Sequence, residues 1–311
     1  MAWVEVPLTE IEAPVYFNWG GDRAIAVFGS NSTAVEYYNI PTPAATSTSF
    51  GNLTTARRFP ATGSNGTYGV IVAGYNQILD TIDYITIATP GNASDFGNAT
   101  SAIGYTYGSS DGTTMFYGTP TSNTPKRTLE YITIATSGSG TTFIDLLTAS
   151  YYGTGVSNLS RTLFTGLDGD ASGVEYFNNL TATTVAEWGN LVVTTHTARP
   201  GASNETYGIF AGGSVGGFAH QKTNAIDYVT IDTLGTAGSF GTLTETKNSM
   251  CSSSNGTIAS FAGGATSSAS DTRTIEYVNI GTSGTASDWG DLIGIFTEGR
   301  PGNGQIAGNP A

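Results

Sequence analysis

The sequence predicts an all-β fold: a six-bladed propeller with four antiparallel strands per blade and no substantial helix. Three observations predict it. The stretch "IDYITIATPGNASDFGNAT" (82–100) is echoed by stretches starting at Val35, Leu129, Val174, Ile226 and Ile275. Its anchor tyrosines, Tyr37, Tyr84, Tyr131, Tyr176, Tyr228 and Tyr277, are separated by 47, 47, 45, 52 and 49 residues. Finally, no segment sustains a 3.6-residue period, whereas β-branched residues alternate with Gly, Pro, Asn and Ser turns. A period near 50 with four extended segments per copy marks radially repeated sheets.

The elements follow in order within each copy. Segment a succeeds an Arg/Pro region, as in "ARRFPATGSNG" (56–66) and "ARPGASNET" (198–206). Segment b is apolar and ends in small residues: "YGVIVAG" (68–74), "YGIFAGG" (207–213), "IASFAGG" (258–264). Segment c carries an acid-Tyr pair. Segment d opens at an aromatic 12 or 13 residues after the tyrosine: Phe50, Phe96, Phe143, Trp188, Phe240 and Trp289. Glycine follows that aromatic except in the third copy, where Ile144 stands. Segment c is apolar in both registers, as a strand covered on both faces requires. The repeated tyrosines, phenylalanines and tryptophans are read as core, each able to bury roughly 150–250 Å². Blades are expected at about 13–55, 56–101, 102–149, 150–194, 195–245 and 246–292, between an arm at 1–12 and a Gly-rich tail at 293–311.

Composition narrows the function. A net charge of −13 disfavours a phosphate backbone as partner. Lys126, Lys222 and Lys247 are the only lysines, and Cys251 is the only cysteine. A disulfide framework and a multi-cysteine metal site are therefore excluded. The start "MAWVEVPLTEIEAP" has neither a basic opening nor an apolar h-region, so no secretory signal is expected. No apolar run approaches the roughly 18 residues of a membrane span. Nucleic acid and membrane insertion are not expected, and no cofactor or metal is.

The order of an apolar strand ending in Gly-Gly, an acid-Tyr strand, an aromatic and a later Arg resembles kelch repeats. "IEYVNIGTSGTASDWGDLIGIFTEGR" (275–300) carries it best. Gly-Gly is intact only at 212–213 and 263–264, and the Tyr-to-Trp gap is longer than usual in kelch repeats. The wording "YITIAT" followed by "DFG" is similar to repeat proteins of tailed bacteriophages of marine bacteria and cyanobacteria. That resemblance implies a virion part: a tail, baseplate, fibre or capsid-surface protein, assembled in the host cytoplasm beside other virion proteins.

The ends of the chain raise a closure question. "WVEVPLTEIEAP" (3–14) aligns with the segments at Trp188 and Trp289, giving seven d-like segments for six blades. Either Trp3–Leu8 pairs into the last blade, leaving the Trp289 segment outside, or Trp289 closes its own blade.

Recognition is expected on the face carrying the b–c loops, which vary between 6 and 14 residues while the c–d connection stays constant. "GSVGGFAHQKTNA" (213–225) offers Phe218, His220, Gln221 and Lys222; "GTPTSNTPKRT" (118–128) adds Lys126 and Arg127; "ATSSASDTR" (265–273) ends in Arg273. Other virion proteins, in a symmetric homo-oligomer or through attachment to a tail or capsid assembly, or a host-surface glycan would dock there. The six acids Glu36, Asp83, Glu130, Glu175, Asp227 and Glu276 could ring a hard cation. The favoured reading is structural, each satisfying backbone or an arginine of its own blade such as Arg57, Arg199 or Arg300. The Asn-X-Ser/Thr triplets are read as compositional.

Catalysis finds little support. Only His196 and His220 exist, neither in a motif. Two histidines with Cys251 do not reproduce the copper site of galactose-oxidase-like kelch enzymes. The chain is thus read as a non-enzymatic virion structural or adhesion protein. The alternatives are a cellular or secreted lectin-like propeller and, less favoured, a paired-carboxylate glycosidase.

Overall fold

The computed structural model describes residues 21–27, 32–75, 78–121, 124–168, 170–179, 181, 183–194, 198–215, 221–266, 271–294 and 307–308. Among them there is no helix, hence none long and apolar enough to cross a membrane. The fold is all-β and propeller-like, with four or more blades.

The pattern is clearest in one sheet, where Ala61–Ser64, Tyr68–Gly74, Leu79–Thr86 and Ser94–Ile103 pair in sequence order as strands a to d. Cys251–Ser254, Ile258–Ala262, Thr274–Asn279 and Ser287–Asp291 repeat it. So do Gly201–Ser203, Tyr207–Ala211, Ala225–Thr230 and Gly238–Thr242. Two further meanders share one strand. Thr141–Ser157 pairs at its start with Lys126–Thr133 and at its end with Arg161–Leu167.

Packing follows from this repetition. Each apolar cluster is built by two sequential units, for example Phe50, Leu53 and Val35 against Ile71, Ile85 and Ile87. The last cluster joins the two ends of the chain: Ala24, Ala26, Tyr38 and Ile40 pack on Cys251, Ala262, Ile275, Trp289 and Leu292. Burial of such side chains contributes roughly 1.5–3 kcal/mol each, and a lone unit would expose both faces.

Why an aromatic precedes glycine is answered by the register. In every copy strands c and d slip by one residue at the acid: Val35 faces Gly51 but Glu36 faces Ser49, and Ile275 faces Gly290 but Glu276 faces Asp288. The same shift occurs at Asp83, Glu130, Glu175 and Asp227. The aromatic is thus the extra residue of a β-bulge, turned into the space between units. Phe50, Phe96, Trp188, Phe240 and Trp289 are buried there, and Phe143 is half-buried. The anchor tyrosines lie less deep than the sequence suggests: all six are half-buried, four of them meeting their aromatic edge-on at 5.6–6.3 Å.

The glycine lets the next unit's c–d turn cross over. Asn190 and Thr242 pair in parallel with Thr236 and Thr285 of the following turns, and Thr46 bridges Asp291 likewise. The a–b turns are closed by an Asx side chain. Asn65, Asp111, Asn158, Asn204 and Asn255 each accept two backbone N–H bonds, from the residues two and three positions on. Four of the Asn-X-Ser/Thr triplets therefore have a turn-forming role that composition alone does not supply.

On the closure question the structure takes the second alternative, Trp289 closing its own blade, and adds a strand that neither alternative foresaw. Trp289 sits in strand d of its own unit, so that segment is not left outside the sheet. The first unit, Arg23–Val27, Ser32–Asn39 and Thr48–Arg57, takes its inner strand from Ala307–Gly308, which pairs antiparallel with Arg23 and Ala24. The segment expected as a tail from 293 thus contains a strand. Trp3–Leu8 lies outside the described residues.

Candidate functional site

The six carboxylates do not converge on one another. Each reaches back to the start of the preceding d–a crossover. Asp83 accepts bonds from Thr54 N and Oγ1 (3.0 and 2.6 Å) and from Arg57 (2.9 Å). Glu130 accepts from Thr100 N at 3.1 Å and Tyr117 OH at 2.8 Å, Glu175 from Leu147 N at 2.8 Å, and Asp227 from Val193 N at 3.0 Å and Arg199 at 2.9 Å. Glu276 accepts from Thr244 N at 2.6 Å and pairs with Lys247. Glu36 closes the series, accepting from Ile293 N and Gly294 N at 3.0 and 2.9 Å. Among the described residues no group of three or more metal-ligating side chains forms. The acids act as latches between units, where the sequence reading expected bonds within one blade; Arg57 and Arg199 do pair with such acids, and Arg300 lies outside the described residues.

Burial pushes the Arg57 and Arg199 guanidiniums below their ordinary range, and the adjacent aspartates offset this. Glu175 differs. Among the described residues no cation forms an ion pair with it, and burial raises its carboxyl above the usual range against the hydroxyl and backbone donors of Thr148 and Leu147 and the charge of Arg127. A carboxyl raised in the fold holds its proton more tightly than in the unfolded chain. The stability it contributes is present below the ordinary carboxylate value, roughly 4.3, and is lost as pH rises through the folded value. The stability difference between wild type and Glu175→Gln should therefore fall as pH rises through that window. Urea unfolding at several pH values checks this, and parallel curves would refute it.

The loop cations stand on the expected side of the sheets but not together. Lys126 and Arg127 are exposed at the start of their c strand, and Arg127 Nε donates to Leu146 O. Gln221 is exposed, while Lys222 Nζ crosses to Thr266 O in the next unit's b–c loop. Arg273 donates to Ile293 O at 3.2 Å. Arg127, Lys222 and Arg273 thus each bond to a backbone carbonyl. Phe218 and His220, like His196, lie outside the described residues.

What gathers on that side instead is a cluster of rings. Tyr75 follows strand b of its unit; Phe59, Tyr105 and Tyr152 occupy equivalent places in three successive d–a crossovers. Ring centroids lie 4.8 Å apart for Phe59–Tyr105, 5.0 Å for Phe59–Tyr152, 4.5 Å for Tyr105–Tyr152 and 4.6 Å for the stacked Tyr75–Tyr105 pair. Tyr151 extends the group at 4.9 Å from Tyr152. Phe59 and Tyr152 are buried; Tyr75, Tyr105 and Tyr151 are half-exposed. Tyr75 is fixed by reciprocal backbone bonds with Arg58 of 2.8 and 2.6 Å.

The backbone explains the convergence. Phe59, Tyr105, Tyr152, Ala198 and Ser249 all have φ between 51° and 60°, the left-handed turn that carries the chain from one unit to the next. Glycine would occupy that region without the cost of about 1–3 kcal/mol that other residues meet. In a chain with 42 glycines, three of these positions hold aromatic rings. The sequence reading missed them, although their spacing of 46 and 47 residues matches the repeat.

The axis, by contrast, is filled. The inner strands Ala61–Ser64, Gly108–Ser110, Gly201–Ser203 and Cys251–Ser254 are buried along their length. Their serines bond from unit to unit: Ser110 to Ser64, Ser109 to Ser157, Ser203 to Ser157, and Ser252 to Gly201. The other rim holds a groove of about 340 Å³ between Phe96 and the Tyr131–Thr141 turn, which is the inter-unit seam itself.

No protein-family model and no curated protein matches the chain.

Proposed function

We propose that the chain is a six-bladed, kelch-like propeller acting as a non-enzymatic docking or adhesion component of a tailed-phage virion, through the face formed by its b–c loops and d–a crossovers. The six-blade count is supported by the six acid latches and by the apolar cluster that joins the first and last units. The observation that carries the choice of face is the contrast between the two sides. One is held by Asx turns and parallel backbone crossings of nearly constant length; the other combines variable loops with half-exposed tyrosines. Large, rigid, amphipathic tyrosines supply contact area at low entropic cost. The virion assignment rests on the repeat wording alone.

Immunogold labelling of intact virions with antibody to this chain tests the reading. Labelling at one structural position, blocked by competing Tyr75-face peptide loops but not by c–d turn peptides, is the expected result. Labelling confined to host cell envelopes would instead favour a cellular binding module.

A further inference from the structure

We propose that the Tyr75–Tyr105–Tyr151 surface is a saccharide-binding platform for an uncharged glycan; this rests on the docking reading above and specifies its ligand class. The chemistry on the page narrows the ligand step by step. Tyr75 and Tyr105 lie nearly parallel, 21° between planes, and Tyr151 flanks them through Tyr152. Tyr75 and Tyr105 each cover one face of the other, so the half-exposed surface is the outer side of this stack with Tyr151 and the ring hydroxyls, which suits a ligand that is flat and apolar on one face and rich in hydroxyls at its edge. A pyranose has that shape.

Charge selects among such ligands. The net charge of −13 disfavours a polyanion. Arg58 acts electrostatically on Tyr105 from the adjoining crossover, and a positive neighbour disfavours a cationic ligand over the same rings. An uncharged sugar meets neither penalty. Ring contacts of Tyr105 with Tyr75 at 4.6 Å and with Tyr152 at 4.5 Å hold the side chains in place, so little side-chain freedom is lost on binding. Phe59 and Tyr152, buried beneath, fix the platform from below.

The test uses the full chain and saturation-transfer NMR. The probes are uncharged glucan, mannan and galactan hexasaccharides, with hyaluronan hexasaccharide as the anionic control. Saturation should pass to at least one uncharged probe and not to hyaluronan. Tyr75→Ala and Tyr105→Ala should each weaken that affinity by about tenfold or more, whereas Tyr75→Phe keeps most of it and Leu234→Ser, on the opposite rim, leaves it unchanged. Melting curves confirm that each variant is folded; should Tyr105→Ala fail to fold, Tyr75→Ala and Tyr151→Ala decide. Transfer from no uncharged probe, transfer from hyaluronan alone, or binding indifferent to the tyrosines would overturn the proposal. If virions are labelled as described above and sugars still fail, the ligand class is wrong while the docking reading stands. If labelling fails as well, both fall.

Discussion

Replacing Asp83 by alanine is expected to destabilise the protein by about 3–5 kcal/mol, more than a carboxylate-to-alanine change at an exposed site. Asp83 and Arg57 are both wholly buried, 2.9 Å apart. Removing one partner strands the other as an uncompensated charge in the interior. Arg57 would retain only its backbone acceptors Thr55 O, Ala73 O and Thr81 O. Thr54 N and Oγ1 would lose their acceptor as well, so the crossover between the first two units loosens. Replacing both members by apolar residues, Arg57→Met with Asp83→Leu, should recover much of the loss, because the desolvation cost of the pair disappears with it. Urea midpoints of the single and double variants measure the coupling. A single-variant loss below about 1 kcal/mol would show that Asp83 is no latch.

The second large effect is steric and asymmetric. A Cβ on Gly241 would lie 1.8 Å from Gly284 O, whereas a Cβ on Gly284 would meet nothing within 4 Å. The two glycines form one contact, between strand d of one unit and the c–d turn of the next. Gly241→Ala must push that turn away and break the Ala286 N to Thr242 O bond of 2.8 Å. Overpacking of this kind costs about 1–3 kcal/mol, and the backbone atom at fault cannot rotate aside. Gly284→Ala should stay within about 0.5 kcal/mol of wild type. Equal melting temperatures for the two variants would contradict the crossing.

Much of this was legible in the residues because repetition writes the fold many times over. The strands, the alternation of two faces and the pairing of Asp83 with Arg57 and Asp227 with Arg199 follow from motifs read in line. Lys247 went unread because an arginine was expected in that place, although Lys247 follows Phe240 by 7 residues just as Arg57 follows Phe50. The bulge was hidden for a different reason: Phe-Gly is visible in one dimension, but a register shift exists only between two strands. Ala307–Gly308 is too short and too small to signal a strand. The tyrosine cluster draws on three crossovers and one strand end, distant in sequence and adjacent only once the units stand side by side.

The central claim is that sequential units, including the last and the first, are joined by one repeated latch. Native-state hydrogen exchange resolved by residue tests it most directly. The amides of Ile293 and Gly294, which donate to Glu36, should be protected to the same degree as those of Leu147, Val193 and Thr244, which donate to the corresponding acids of later units. Exchange of Ile293 and Gly294 at the rate of an open chain, with the other three amides protected, would mean that the first and last units do not join.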